Sequence, residues 1–342
     1  MAILVVDNVA AGPAIGGLRM AEDVTTEECF RLARAMTLKN AAAGLSHGGA
    51  KSAILANPHA PVAEKEGLLR AFAAAIADIR DYIPGPDLGT DEACMAWVHD
   101  EIGRSVGLPA ALGGIPLDQI GATGFGLGVA VEVARRFCDL ELQGARVVVQ
   151  GFGSVGQHAA RFLADKGAIL IAAADSSGTV MDEAGLDLEA LIALKQSGQS
   201  LDRFRTGKTL ARDAVVDIAC DIWIPAARPD VINEENVARL KTKIVAQGAN
   251  IAVTAKAEEI LHARNILSIP DFIANAGGVI CAAVEFAGGT HGQAFEAIED
   301  KISRNTWTIL DISRRQTLSP RAAAVQMAHS RVRAAMSFRR WA

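Results

Sequence analysis

Two lysines and one aspartate in the first hundred residues stand in surroundings that suit chemistry. Lys39 stands four residues before the segment AGLSHGGAKSAILANP (43–58), and Lys51 lies within it. Asp87 follows in GPDLGTDE (85–92). A lysine in a glycine-lined cleft with little water loses part of its preference for the charged form, so it can exchange protons near neutral pH. Such a group suits reactions at a carbonyl or an imine. Taken singly, each of these residues is more often a surface charge, and only their combination favours a reactive site.

A second motif indicates a dinucleotide. GFGSVG (151–156) follows the apolar ARVVVQ (145–150) and precedes the helix-like QHAARFLADKG, and Asp175 stands 19 positions after the last glycine. This is the dinucleotide fingerprint: a strand, then a GxGxxG turn that opens a helix, then an acidic residue at about this distance. In such sites the pyrophosphate lies at the helix N-terminus. The alternative is a glycine-rich turn that only packs a helix on a sheet. Asp175 favours NAD because a carboxylate repels a 2′-phosphate, whereas Ser176, Ser177 and Gly178 leave NADP as the alternative.

The pattern of the chain predicts the elements that position these residues. Helical periodicity in TTEECFRLARAMTLKNAAAG (25–44) and EKEGLLRAFAAAIADIRDY (64–82) predicts a mixed α/β domain over residues 1–120. From about Gly121 onward, short apolar strands alternate with helices over residues 121–317, which is typical of a parallel sheet covered on both faces. The sequence therefore predicts an α/β protein with two domains, the second of Rossmann type.

Composition excludes several classes of protein. The 342 residues are 50% hydrophobic and 21% charged, and the net charge is −5 without blocks of one sign, so we expect a soluble globular protein with no nucleic-acid partner. MAILVVDNVAAG (1–12) has no basic start and contains Asp7, which favours a strand over a signal peptide, and no apolar run has the length of a membrane span. Five cysteines without a CxxC pair predict a reducing compartment, by default the cytoplasm, and no metal site is expected.

Seven motifs together resemble one enzyme family. They are GPAIGGLRM (12–20), MTLKNAAAGLSHGGAKSAILANP (36–58), GPDLGT (85–90), GFGSVG (151–156), DIWIPAA (221–227), VAQGAN (245–250) and IPDFIANAGGV (269–279). Their order and spacing resemble those of the glutamate/leucine/phenylalanine/valine dehydrogenases. The resemblance implies reversible oxidative deamination of an L-amino acid to a 2-oxo acid and ammonia, with hydride passing to NAD or NADP. It also implies an N-terminal substrate-binding and oligomerisation domain, a cleft between the two domains, a C-terminal helix at about 318–342 that returns to the first domain, and a homo-oligomer.

The same resemblance assigns roles to individual residues. Lys51 resembles the catalytic lysine that activates water and stabilises the carbinolamine oxygen, and Asp87 resembles the carboxylate that moves protons to and from the amino group. Lys39 resembles the residue that binds the substrate α-carboxylate. The full substrate-binding set is Ile15, Gly16, Gly17, Lys39, His47, Gly85, Asn275, Val279 and Ala282, and Gly48 and Gly49 are expected to bring backbone close to the substrate. The full cofactor-binding set is Thr123, Gly151, Gly153, Ser154, Val155, Gly156, Asp175, Ser176, Ala226, Asn250 and Asn275.

The substrate side chain is expected to be apolar. In the glutamate-specific members a lysine stands at the position of Ile15 and a serine at that of Ala282, and both receive the side-chain carboxylate. Without them, a buried carboxylate would cost on the order of several kcal/mol. GPAIGG resembles the leucine and phenylalanine enzymes, and Gly85 with Ala282 enlarges the pocket, so we expect an apolar and bulky or aromatic substrate.

Two alternatives stay open. His47 stands where the family usually has an apolar residue. It either packs and hydrogen-bonds to backbone, or it donates a hydrogen bond to a polar, acidic or otherwise unusual substrate. In the latter case the enzyme is a dehydrogenase or a reductive aminase for that substrate. The second alternative is an inactive NAD-binding regulator on the same scaffold, since a fold alone does not prove activity.

Overall fold

The computed structural model describes residues 1–339, which form two compact units. The first comprises Met1–Leu117, Val279–Ala297 and the residues from Val325 onward, and the second comprises Asp118–Gly278 and Ile298–Ala324. The bounds expected from the sequence, 1–120 and 121–317, differ from this division mainly in residues 279–297. These residues join the first unit because the buried Glu285 carboxylate accepts hydrogen bonds from the backbone N–H groups of Leu108 and Ile115. No local sequence pattern reveals such long-range contacts.

The first unit contains a four-stranded sheet. Its strands are β1 Ala2–Asn8, β2 Ala14–Ala21, β3 Gly48–Leu55 and β4 Tyr82–Pro86. The order across the sheet is β1-β3-β2-β4, and only β1 is antiparallel to its neighbour. The helices between and after these strands are α1 Thr26–Ala42, α2 Val62–Ala75 and α3 Glu92–Ile102.

Capping residues explain where these helices begin and end. Thr25 accepts a hydrogen bond from the backbone N–H of Glu28, so α1 begins where the sequence predicts. Helix α2 ends at Ala75, earlier than its periodicity suggests. Beyond that point the Arg104 guanidinium donates to the carbonyl oxygens of Ile76 and Ile79. A distant cation thus satisfies carbonyl groups at the end of this helix, as expected for a helix C-terminus.

The second unit contains a seven-stranded sheet with the order β11-β10-β9-β5-β6-β7-β8. Its elements are α4 Ala122–Ala134, β5 Arg146–Gln150, α5 Ser154–Ala164, β6 Ile169–Ala174, β7 Thr179–Met181, α6 Leu188–Gln196, β8 Lys208–Leu210, β9 Ile222–Pro225, β10 Ile244–Ala246, α7 Ala255–Ala263, β11 Leu267–Ile269 and α8 Asp271–Ala274. Strands β11, β10, β9, β5 and β6 are parallel, and β7 runs antiparallel to both of its neighbours, β6 and β8. The strand order reverses at β5 and β9, which is the point where a doubly wound sheet binds its ligand. The predicted fold class is confirmed.

Three further helices complete the chain: α9 Gly277–Phe286, α10 His291–Gln316 and α11 Pro320–Met336. The C-terminal helix predicted at about 318–342 corresponds to α11, and its last three residues, 340–342, lie outside the described residues. Within residues 1–339, no helix is long and apolar enough to cross a membrane. The same residues contain no cluster of three or more His, Cys, Asp or Glu side chains that could hold a metal ion.

Candidate active site

The first unit brings Lys51 and Asp87 together as a buried ion pair. Lys51 lies in β3 and Asp87 directly follows β4, and the distance between Lys51 Nζ and Asp87 Oδ2 is 2.7 Å. Strand β2 runs between these two strands and presents Gly17 to the pair. A Cβ atom on Gly17 would lie 2.8 Å from Asp87 Cβ and 3.1 Å from Lys51 Nζ. Glycine at this position therefore leaves room for the ion pair.

Arg19 is a third member of this site, and sequence reasoning missed it. Its Nε atom lies 2.8 Å from Asp87 Oδ2, the same oxygen that Lys51 contacts, and its Nη1 atom lies 2.6 Å from Glu28 Oε1. The signal was present in GGLR, because Arg19 lies two residues after Gly17 and so on the same face of β2. Thr90 adds support, since its hydroxyl accepts a hydrogen bond from the backbone N–H of Asp87.

Burial and charge oppose each other at this pair. Burial lowers the pKa of Lys51 below its ordinary value, and the negative charge of Asp87 only partly offsets this effect. Burial alone would raise the pKa of Asp87, but Lys51 and Arg19 together hold that pKa below its ordinary value. The carboxylate therefore stays ionised near neutral pH, while the ammonium group is easier to deprotonate than that of a surface lysine. This combination allows proton transfer at the site.

Glycines near the lysine have a different role from the one expected. A Cβ atom on Gly48 would lie 1.7 Å from the carbonyl oxygen of Asn8 in β1, and one on Gly49 would lie 2.0 Å from the backbone nitrogen of Thr37 in α1. These two glycines are required by the close packing of β3 against a strand and a helix. This packing accounts for glycine at both positions without the close approach to the substrate that the sequence suggested.

Lys39 lies in the last turn of α1 and is half-buried. The adjacent Asn40 side chain is fully buried, and its Nδ2 donates to the carbonyl oxygens of Gly48 and Ile15 at 2.6 Å and 3.3 Å. Asn40 thereby fastens α1 to β2 and β3. Gly16 is held from the other side, because the Tyr82 hydroxyl donates to its carbonyl oxygen at 3.1 Å.

An apolar cluster lies beside the ion pair. It consists of Ile15, Ile83, Val106 and Ala282, all at most 8% exposed, with the partly buried Ala283 packed against them. The predicted pocket residues Ile15 and Ala282 thus meet although 267 residues separate them in sequence. A Cβ atom on Gly85 would lie 3.1 Å from Val106 Cγ2, so the Val106 side chain already packs closely against this glycine. Val279 lies one turn earlier on α9 and is half-buried.

His47 directly precedes β3 and is half-buried. Its Nδ1 atom is 3.0 Å from the carbonyl oxygen of Pro13, and its ring meets the Phe286 ring edge-on, with centroids 5.8 Å apart. Burial lowers the pKa of His47, although the bond to Pro13 partly offsets this effect. This geometry is compatible with both alternatives raised by the sequence. The ring bonds to backbone, as the packing alternative requires, and it also contacts the helix that carries Ala282, as a role in substrate binding requires.

In the second unit the glycine-rich turn forms a cradle at the end of β5. Gly151 has φ of +95°, and a Cβ atom on it would lie 2.5 Å from the backbone nitrogen of Ala227. A Cβ atom on Gly156 would lie 2.2 Å from the carbonyl oxygen of Gly151, whereas Gly153 faces open space. The turn therefore packs tightly on two sides and stays open on the third. A cavity of about 860 Å³, lined by Gly151, Gly153, Asp175 and Ala226 among others, adjoins it.

Other predicted cofactor residues flank this turn. Ser154 begins α5 and donates from its hydroxyl to the carbonyl oxygen of Asp118 at 3.1 Å, and Val155 is half-buried behind it. Ser176 is exposed and lines the cavity. The backbone N–H groups at the start of α5 remain suited to a pyrophosphate.

Asp175 is more fully hydrogen-bonded than expected. One carboxylate oxygen accepts from the backbone N–H and the hydroxyl of Ser177, at 2.9 Å and 2.5 Å. The other accepts from Lys195 Nζ at 2.7 Å and from the backbone N–H of Leu201 at 3.0 Å. Burial would raise the pKa of Asp175, but these bonds together lower it to about 2. Ribose hydroxyls must therefore compete with four existing bonds, and sequence reasoning missed Lys195.

Asn275, Asn250 and Thr123 belong to the same unit. Asn275 Nδ2 donates to Asn250 Oδ1 at 2.8 Å, and Gly277 allows close approach to α4, since a Cβ atom there would lie 3.1 Å from Thr123 Cα. The Asn275 Oδ1 atom is buried and accepts no hydrogen bond from any residue within 1–339. An unsatisfied buried acceptor, an open glycine cradle and an adjoining cavity together fit a nicotinamide dinucleotide.

Two family models match the chain. "Glu/Leu/Phe/Val dehydrogenase, dimerisation domain" matches residues 1–104, and "Glutamate/Leucine/Phenylalanine/Valine dehydrogenase" matches residues 113–340. The chain belongs to the glutamate/leucine/phenylalanine/valine dehydrogenase family. It is an amino-acid dehydrogenase, an oxidoreductase that acts on the CH–NH2 group of its donor. The family prediction is confirmed.

The relatives found by sequence are named glutamate dehydrogenases. The chain is 37% identical to "Glutamate dehydrogenase" of Aeropyrum pernix (98% of this chain, 85% of the relative) and 35% identical to "NADP-specific glutamate dehydrogenase" of Saccharolobus shibatae (97% and 83%). It is 33% identical to "NAD-specific glutamate dehydrogenase" of Staphylococcus aureus (98% and 85%). These names confirm the predicted cofactor, NAD with NADP as the alternative. They do not support the narrower expectation of a leucine or phenylalanine type of pocket.

Solved structures give the same family with more varied substrates. A hetero-hexameric glutamate dehydrogenase from Thermus thermophilus in a leucine-bound form has a TM-score of 0.86 and 31% identity, covering 98% of this chain and 84% of that one. L-tryptophan dehydrogenase from Nostoc punctiforme has a TM-score of 0.76 and 25% identity, covering 98% of this chain and 92% of that one. The fold is thus shared by relatives with acidic and with aromatic substrates.

Proposed function

We propose that this protein catalyses reversible oxidative deamination of an L-amino acid. The amino acid, water and the oxidised dinucleotide yield a 2-oxo acid, ammonium, the reduced dinucleotide and a proton. The observation that carries this proposal is the buried ion pair of Lys51 with Asp87, to which Arg19 adds a second cation. The bound NAD or NADP would supply the hydride acceptor, held by Gly151, Gly153 and the Asn275 region.

The chain's own residues then handle water and protons. Lys51, whose pKa is lowered by burial, accepts a proton from the attacking water and stabilises the oxygen charge that develops at the substrate carbon. Asp87 stays ionised, so it can accept a proton from the substrate amino group. Lys39 is suited to the α-carboxylate because it is a half-buried cation near the same strands.

Cofactor reduction tests the proposal directly. Purified protein is mixed with NAD or NADP and a panel of L-amino acids, and absorbance of the reduced cofactor is followed. Lys51→Met should lower kcat by at least about 100-fold, the size expected for loss of a general base. Lys256→Met is the matched control, because Lys256 is exposed on α7 and pairs only with Glu259. Failure of every amino acid to reduce either cofactor would contradict the proposal and favour an inactive regulator.

For the side chain of the substrate, the geometry supports an apolar group. Ile15, Ile83, Val106 and Ala282 offer no donor or charge from their side chains, and each is at most 8% exposed. A carboxylate against this surface would lose its hydration without gaining partners, which costs on the order of several kcal/mol. The substrate side chain is therefore proposed to be apolar, and the small side chain of Ala282 in this cluster favours a large one.

Glutamate is the second candidate. It is favoured by the names of the relatives, which share 33–37% identity over nearly the whole chain. The two candidates predict different values for one ratio, which is kcat/KM for L-glutamate divided by the higher of the kcat/KM values for L-phenylalanine and L-leucine. A ratio above one would replace the apolar proposal with the acidic one.

The neighbours of Asp175 bear on cofactor choice. A carboxylate at this place repels a 2′-phosphate, but Lys195 neutralises it at 2.7 Å. We therefore propose that the enzyme uses NAD and tolerates NADP.

A homo-oligomer is also proposed, supported by the hetero-hexamer of the Thermus thermophilus relative, and light scattering of the purified protein tests it. The cytoplasmic location and the absence of a nucleic-acid partner stay predictions.

A further inference from the structure

His47 directly precedes β3, and the alternation of side chains in that strand, continued by one residue, puts His47 on the same face of the first sheet as the reactive lysine. Side chains alternate along a strand, so residues 47, 49 and 51 share one face. Ala50 and Ile54 point the other way, into a separate core with Leu69 and Met95. His47 Nδ1 meets the backbone of Pro13, and Ile15, two residues further along β2, pairs in register with Gly49 and Ile83.

Rows of residues therefore follow one another across this face. Lys51 and Gly17 form the reactive row, which Asp87 contacts from just beyond the end of β4. Ile15, Gly49 and Ile83 form the next row. His47 stands one step beyond, four residues from Lys51, which corresponds to roughly 13 Å along a strand.

Helix α9 contacts residues of both outer rows, namely Ile15 and Ile83 in one and His47 in the other. Ala282 packs on Ile15 and Ile83, and Phe286 follows four residues later, on the same side of the helix. The Phe286 ring meets the His47 ring edge-on at 5.8 Å and keeps 40% of its surface exposed. A side chain that extends from the reactive row past Ile15 therefore reaches these two rings.

The bond to Pro13 fixes what His47 offers. A carbonyl oxygen only accepts hydrogen bonds, so Nδ1 must carry the proton, and in the neutral ring Nε2 is left with a lone pair. No residue within 1–339 donates to Nε2. Burial opposes a second proton on the ring. The ring thus presents an acceptor, which repels a carboxylate and suits an N–H or O–H group.

We propose that His47 and Phe286 form the far end of the substrate pocket and select a large side chain that ends in a neutral hydrogen-bond donor, such as a phenol or an indole. This inference rests on the proposed amino-acid dehydrogenase activity and narrows its substrate class. It also changes one of the two alternatives drawn from the sequence, in which His47 was a hydrogen-bond donor to a polar or acidic substrate side chain.

L-tyrosine and L-phenylalanine test the proposal because they differ only in a terminal hydroxyl. The measured quantity is the ratio of their kcat/KM values, tyrosine over phenylalanine, which is expected to exceed one. His47→Asn keeps a donor for Pro13 but has no atom at the Nε2 position, and it should lower the ratio by about tenfold, the effect of one hydrogen bond. His47→Gln places an amide oxygen near the Nε2 position and should retain most of the ratio. Phe286→Leu should lower both kcat/KM values and leave the ratio near that of the wild type.

A purely structural His47 would give the opposite order. His47→Asn would then keep the ratio and the unfolding temperature, and His47→Gln would lose stability because its bond to Pro13 is gone. An unchanged ratio in His47→Asn overturns the inference while the proposed function stands. A higher kcat/KM for L-glutamate than for L-tyrosine also overturns it. Absence of cofactor reduction with every amino acid overturns the proposed function, and the inference with it.

Discussion

Removing the charge of Arg19 should shift the pH dependence of the enzyme upward. Arg19 Nε lies 2.8 Å from the Asp87 oxygen that also contacts Lys51 Nζ. Its positive charge stabilises ionised Asp87 and destabilises protonated Lys51, and the pKa values of both groups are lowered accordingly. Lys51 and Asp87 titrate as a coupled pair, so loss of Arg19 raises both apparent pKa values of the pair.

The size of this shift follows from the geometry. An opposite charge in direct contact lowers the pKa of a carboxylate by about 1–3 units. The Arg19 side chain is 15% exposed and the Asp87 side chain 22% exposed, so solvent screens part of the interaction. We therefore expect Arg19→Met to raise both limbs of the pH profile by about 1 unit, equivalent to about 1.4 kcal/mol. Methionine keeps the aliphatic packing of the arginine stem.

The assay is kcat/KM for amino-acid oxidation measured from about pH 6 to pH 11, because this parameter reports groups of the free enzyme and substrate. Titration of the substrate amino group is the same for every variant and cancels in the comparison. Arg19→Lys should give a smaller shift. Glu28→Gln is the matched control, since the Glu28 carboxylate bonds to the far end of Arg19 and not to Asp87 or Lys51. Unchanged or lowered pKa values in a stably folded Arg19→Met protein would refute the reasoning.

Three further expectations concern substrate, cofactor and stability. Ile15→Lys combined with Ala282→Ser supplies a cation and a hydroxyl to the apolar cluster, so kcat/KM for L-glutamate should rise by about 100-fold relative to that for L-leucine; a constant ratio would argue against this pocket. Lys195→Met leaves Asp175 unneutralised, so the ratio of kcat/KM for NAD to that for NADP should rise; a fall would show that Lys195 does not favour the 2′-phosphate. Asp175 has a pKa of about 2 in the folded protein, below its ordinary value, so its contribution is present above about pH 4 and is lost as the pH falls toward 2. Asp175→Asn should therefore reduce the free energy of unfolding at pH 7 by about 2 kcal/mol and by much less near pH 2.5, as measured by urea denaturation; equal losses at both pH values would contradict this assignment.

Much of the fold and the reactive site could be predicted from sequence because their signals are local. The glycine pattern after ARVVVQ predicts a strand, a tight turn and a helix within about twenty residues, and the structure has β5 and α5 there. Lys51 and Asp87 were recognised because both stand in short, specific motifs. The side chains that pair with the predicted carboxylates were missed. Arg19 lies within GPAIGGLRM and pairs with Asp87, and Lys195 lies outside the seven motifs and pairs with Asp175, so both act through three-dimensional contacts.

The sequence by itself determined the family, the order of the elements and the two catalytic candidates, because motif spacing and hydrophobic periodicity depend on near neighbours in the chain. Only the tertiary structure decided that Ala282 meets Ile15 and that Gly49 packs against a helix. It also decided which nitrogen of His47 bonds to Pro13. These features depend on atoms brought together by packing from distant segments, and no local pattern encodes which atoms will meet.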